Sequence, residues 1–290
     1  MSNIYLGTCS WKYDSWRGLV YSDSSDLNYL AEYSRKYDTV EIDQWFWSLF
    51  PGGKVVLPRP AVVQEYAQAV PRNFKFTVKL PNSLALTHYY RKDKTKGLQV
   101  NPFFLSTDLY NRFIEIITPL HQHIGVLMMQ FEYLNKQKMP SQQEFLGKLE
   151  QFVRQIDRRK IALAIEIRNP NYLNDTYFKF LKILKLSHVF LQGYYMPAVS
   201  DIYSKVAEKL ISPVIIRLHG PDRNSIEEKS SGNWNKIIEP RTKEISRITE
   251  IIADLNARKL DVYVNVNNHY EGSAPLTIEK LRKKIAAAEK

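Results

Sequence analysis

The chain has 290 residues, 44% hydrophobic and 24% charged, with a formal net charge of +11 and a single cysteine, Cys9. That length suits one large α/β domain with an ample core, while one cysteine excludes an intrachain disulfide framework. No apolar run approaches membrane-spanning length, and the start lacks a basic segment leading into a cleavable apolar stretch, so a cytoplasmic protein with no membrane partner is expected. The positive charge is scattered: Arg154, Arg158, Arg159 and Lys160 precede a strand, and Arg282, Lys283 and Lys284 fall in the last helix. Scatter of this kind reads as a basic surface more readily than as a nucleic-acid stripe.

The first strand is Ile4–Thr8, followed by an aromatic loop through Trp11, Tyr13 and Trp16. Helical spacing over 27–37, with Asp26 as N-cap, leads to a second strand, Thr39–Ile42, which ends in Glu41 and Asp43 on one face. Beyond Trp45-Phe46-Trp47, residues 61–69 form a helix after Pro60. The third strand, 74–80, delivers Lys79, with His88 just beyond it. The long connection that follows carries Arg91, Lys92, Lys94 and Lys96 beside Tyr89 and Tyr90, and its length makes it a lid candidate. A helix at 105–117 precedes the fourth strand, 124–130, which ends in Gln130.

A helix at 143–156 feeds the fifth strand, 161–168, Ile-Ala-Leu-Ala-Ile-Glu-Ile-Arg. Continuous apolar character is what a parallel strand covered on both faces requires, and Glu166 and Arg168 project together from its carboxyl end. Helix 176–184, strand 188–192, helix 204–210, strand 214–219 ending Arg217-Leu218-His219, helix 241–256, strand 261–266 and helix 277–288 complete the chain. Eight strands alternating with helices, with no linker, predict a single-domain TIM-type (β/α)8 barrel spanning residues 1–290. A doubly wound open sheet is the competing architecture, and no Gly-x-Gly-x-x-Gly follows the first strand to support its nucleotide-binding version.

Closure of such a barrel gathers the strand ends at one mouth. Glu41 and Glu166 are the candidate general acid and base, with His219 as a proton shuttle. Arg168 and Arg217 offer planar forks to an anion, Lys79 an electrostatic clamp or a Schiff-base amine, and Gln130, Asn265 and Asn267 neutral hydrogen bonds. Trp11 and His88 complete the expected substrate-binding set. The alternative for all of these is a satisfied polar network plugging the barrel end. Two acids against three cations leave a net positive mouth, which favours an anionic ligand over a metal ion, and no metal is expected. Cys9 reads as a small buried side chain.

Several phrases, taken together, are similar to the YecE-like family, domain of unknown function 72. They are Gly7-Thr8-Cys9-Ser10-Trp11, Thr39-Val40-Glu41-Ile42, the run from Phe74 to Pro81 with Thr87-His88, and Gln130-Phe131. Glu166-Ile167-Arg168, Arg217-Leu218-His219-Gly220 and Asn267-Asn268-His269 complete the set. The resemblance runs nearly end to end and implies a TIM-barrel-like fold with no established activity. The chain departs from the family pattern at Asp43-Gln44-Trp45-Phe46-Trp47, at Asn169-Pro170-Asn171-Tyr172 and at Glu132-Tyr133, all loop positions at the expected mouth. The resulting expectation is an enzyme of the hydrolase, lyase or isomerase kind, without cofactor, acting on a small anionic or sugar-like metabolite. The alternative is a nucleic-acid-binding or processing protein that uses the basic, aromatic segment around residues 89–96 as an arm.

Overall fold

Eight parallel strands hydrogen-bond into a closed ring in the computed structural model, which describes residues 2–90 and 97–288. In chain order the elements begin β1 (Ile4–Thr8), α1 (Tyr29–Tyr33), β2 (Thr39–Ile42), a small hairpin of β3 (Leu49–Phe50) and β4 (Lys54–Val55), α2 (Pro60–Ala69) and β5 (Lys75–Lys79). Then come α3 (Asn82–Ala85), α4 (Thr107–Ile116), β6 (Ile124–Phe131), α5 (Gln142–Gln155), β7 (Ala162–Ile167), α6 (Asp175–Ile183) and β8 (Ser187–Gly193). The chain finishes with α7 (Val199–Val206), β9 (Val214–Gly220), α8 (Arg223–Ser230), α9 (Thr242–Ala257), β10 (Val262–Val266) and α10 (Ala274–Ala288). Around the ring the order is β1, β10, β9, β8, β7, β6, β5, β2. This is a TIM-type barrel.

The strands are apolar on both faces because both are covered. Outward side chains such as Val40, Ile42, Phe76, Val78, Leu163 and Ile165 join the large core beneath the helices, whereas Val126, Met128, Ala164, Val189, Ile215 and Tyr263 form a separate cluster inside the ring. The inner cluster fills the lower barrel, where the Tyr5 and Tyr263 rings stack at 4.5 Å, and the upper interior is left to polar groups. The seam between β1 and β2 is narrow, with Thr8 opposite Val40 as its one register pair. There Gly7 is required, because a Cβ would overlap the Thr39 carbonyl. The Tyr33 hydroxyl staples the same seam, accepting from Thr8 N at 2.9 Å and donating to Thr39 O at 3.1 Å.

Helix boundaries differ from expectation in several places. The helix expected at 27–37 is the shorter α1, capped by Asn28, whose side chain accepts from Ala31 N, rather than by Asp26. The one expected at 204–210 starts earlier, as α7, and ends in a 3₁₀ turn, Ala207–Lys209. The β3–β4 hairpin, α3 and α8 have no counterpart in the sequence reading. No described helix is long and apolar enough to cross a membrane.

Candidate active site

Alternation along β9 points Ile215, Arg217 and His219 inward, and Arg217 becomes the hub of the upper barrel. Its Nε donates to Glu41 Oε2 at 2.8 Å and its Nη2 to Glu41 Oε1 at 2.7 Å, a two-point fork. Its Nη1 reaches Glu166 Oε2 at 2.6 Å and Gln130 Oε1 at 3.3 Å. Arg168 Nε donates to the other oxygen of Glu166 at 3.1 Å. Asn265 Nδ2 donates to Glu41 Oε2 at 3.1 Å and to Thr77 Oγ1 at 2.9 Å, leaving its Oδ1 buried without a partner among the described residues. Six strands thus supply one network: β2, β5, β6, β7, β9 and β10. Register explains it, since Gln130 lies opposite Glu166 and Arg217 opposite Asn265.

Burial makes the charges in this network strongly interdependent. Glu41, Glu166 and Arg217 are all buried. Loss of water alone would push Glu166 up, but Arg217, Arg168 and Lys79 outweigh it and hold the carboxyl down at about 2. Burial opposes charge on Arg217 as well, and Glu41 and Glu166 reverse that and push its value well above the usual one. The two acids expected to exchange protons are therefore engaged as counter-ions. Paired ions of this kind are rigid when complete and costly when one member is missing.

Lys79, at the end of β5, is the one buried lysine among the described residues, 8% exposed. No carboxylate of the described residues lies within 4.0 Å of its amine. The Nζ instead sits 3.8 Å from the centre of the Phe46 ring. Burial first, and Arg217 second, lower its value to about 8 despite Glu41, Glu166 and Asp43. Asp43 behaves in the opposite sense: burial, then the Glu41 charge, raise its carboxyl to about 6. Both groups can change protonation near neutrality, the property proton-transfer chemistry selects.

His219 lies at the edge of the cluster. Its Nε2 is 3.6 Å from Cys9 Sγ and its Nδ1 3.3 Å from the Tyr194 hydroxyl. Burial, with Arg217, Arg168 and Lys79, drives the imidazole well below its usual value, so it is neutral. Cys9 is pushed well above its ordinary range by burial and by Glu41. The ring is thus next to a thiol, although the sequence places no base near Cys9. Tyr194 reaches it from a tight turn in which Gly193, at φ 138, lies so close to Gly220 that a Cβ would overlap the Gly220 carbonyl.

Three expected residues make contacts outside this network. Trp11 is buried edge-on against Tyr66 at 5.1 Å, packing a loop onto the barrel. Asn267 caps a 3₁₀ turn by accepting from His269 N at 2.9 Å. His88 pairs with its neighbour, Nδ1 to Thr87 Oγ1 at 2.9 Å. The basic arm of Arg91, Lys92, Lys94 and Lys96 lies outside the described residues. Thr77, Asp43, Phe46 and Tyr194 join the site without having been assigned to it. Thr77 shares a face with Lys79 and Asp43 with Glu41, so strand alternation could have found those two. Among the described residues no group of three or more His, Cys, Asp or Glu is arranged to hold a metal ion.

A family model described as a protein of unknown function, DUF72, matches residues 5–290. Among solved structures, a DUF72 family protein from Enterococcus faecalis is similar at 19% identity, covering 98% of this chain and 95% of that one, with a TM-score of 0.68. Another from Thermotoga maritima is 19% identical, covers 98% and 99%, and has the same TM-score of 0.68. At such identity the shared property is the fold. No curated protein matches the chain.

Proposed function

The chain belongs to the DUF72 family, and we propose that it is an enzyme acting on a small anionic or sugar-like metabolite by general acid–base chemistry at the barrel mouth. The observation that carries this reading is the Lys79 amine, buried without a carboxylate partner among the described residues while Arg217 is saturated by two. A desolvated cation in that state gains most from an incoming anion. Arg168 stands at the same rim, bonded to Glu166 through Nε alone and stacked 5.0 Å from the Tyr194 ring. In this reading Lys79 and Arg168 bind the anion, Asp43 moves the proton, and Glu41, Glu166, Arg217 and Asn265 form the fixed floor beneath.

Inorganic phosphate serves as the probe. Calorimetric titration should show binding that weakens at least tenfold in Lys79→Met and in Arg168→Ala, with far-ultraviolet spectra unchanged. Binding indifferent to both substitutions, or none in the parent protein, overturns the reading.

A further inference from the structure

We propose that Lys79 condenses with a carbonyl group, so that the metabolite is an aldehyde or ketone that also carries an anion. This rests on the proposed binding site and names the class of substrate it takes. Three partly shielded lysines elsewhere in the molecule are neutralised: Lys138 meets Glu132 at 2.7 Å, Lys209 meets Asp175 at 2.6 Å and Lys280 meets Glu271 at 2.9 Å. Lys79, more buried than any of these, has the Phe46 ring where a carboxylate would be expected. An amine becomes nucleophilic at neutral pH when it is desolvated or crowded by another cation. Lys79 meets both conditions. The groups that face it are Arg217 from β9, Glu166 from β7, Glu41 from β2 and Asp43 just beyond β2, and the balance lowers its value to about 8.

The step is an addition followed by a dehydration. The neutral amine gives its lone pair to the carbonyl carbon, and the carbon–oxygen π pair moves to oxygen. Oxygen takes up a proton and nitrogen releases one, giving a carbinolamine. Loss of the hydroxyl as water, with a proton from the Asp43 carboxyl, leaves a protonated imine. Amine and carbonyl become imine and water, with no change of oxidation state. Arg168, with its guanidinium against Tyr194, is placed to hold the anionic end.

The test incubates the full-length protein at pH 8 with sodium cyanoborohydride and either pyruvate or dihydroxyacetone phosphate, then maps the adduct by peptide mass spectrometry. Hydride delivered to the imine carbon makes a stable secondary amine. The expected result is modification of Lys79 at least tenfold faster than of exposed Lys148, slowed by inorganic phosphate and absent at this position in Lys79→Arg. Lys79 left unmodified by both probes, or labelled no faster than Lys148, overturns the proposal. Such a failure with phosphate binding intact removes the imine alone. Failure of both experiments removes the binding site as well.

Discussion

Arg217 neutralises two buried carboxylates at once, and neither has a second partner of equal quality. Glu166 keeps one bond from Arg168 at 3.1 Å, and Glu41 keeps one neutral bond from Asn265 at 3.1 Å. Arg217→Met should therefore destabilise the protein by about 3–5 kcal/mol, the usual consequence of orphaning buried charge. Adding Glu41→Gln and Glu166→Gln to that variant should recover much of the loss, because the penalty belongs to uncompensated ions and not to the missing arginine atoms. Denaturant unfolding of the two variants checks this, and equal losses would contradict it. At this scale the sequence was informative about position but not about role. Glu41 and Glu166 stood out because each ends an apolar strand, but nothing in the order of residues shows that one arginine occupies both. Asp43 is a second carboxylate two places after Glu41, just beyond the end of β2, and nothing in the order of residues sets it apart for proton transfer. Its raised value of about 6 arises from burial beside the Glu41 charge, a fact of three dimensions.

Among the elements, the short α3 governs how the site is roofed. Asn82, its first residue, donates from its backbone N to Phe46 O at 2.7 Å, and its side-chain Oδ1 accepts from Ser48 N and Leu49 N, each at 3.0 Å. The segment after β2 is thereby fastened to the end of β5, with Phe46 over Lys79. Asn82→Ala leaves those buried N–H groups without their acceptor, a loss of roughly 1–3 kcal/mol. It should also loosen Phe46 and readmit water to the amine, so the Lys79 value climbs from about 8 toward that of an ordinary lysine. The pH dependence of Lys79 acylation measures that change, and an unaltered midpoint would mean that Phe46 is held by something else. Strands such as β6 and β7 were legible because a covered parallel strand must be apolar throughout. Elements like α3 were not: four residues show no period. The two-residue strands β3 and β4 show none either, and α8 buries only Ile226 and Ser230, which is too little for an apolar stripe.

For the molecule as a whole, the buried ionisable groups set the response to acid. His188, on the outer face of β8 among the rings of Tyr177, Phe178 and Phe190, is lowered by burial to about 3, and His219 is also driven well down. Above pH 6.5, where an unfolded histidine is neutral, neither ring affects stability. As pH falls from there toward 3, the unfolded chain binds protons that the folded one refuses, and stability declines. Glu166 adds to this at lower pH, since its contribution is complete above the ordinary carboxylate value of 4.5 and is lost as pH approaches about 2. Asp43, raised to about 6, works the other way and returns some stability between pH 6 and 4. His88 and His269 are lowered by burial too, and the histidines with Glu166 outweigh Asp43, while a formal net charge of +11 grows further as carboxylates are protonated, adding self-repulsion. The melting temperature should hold between pH 6.5 and about 8, below the Lys79 value, and fall steadily from pH 6.5 to pH 4. His188→Phe, which keeps a ring among its three aromatic neighbours and removes one titrating group, should make that slope shallower. Melting curves of the parent and the variant at half-unit intervals decide it, since an equally steep decline in both would place the acid sensitivity elsewhere than in the β8 histidine.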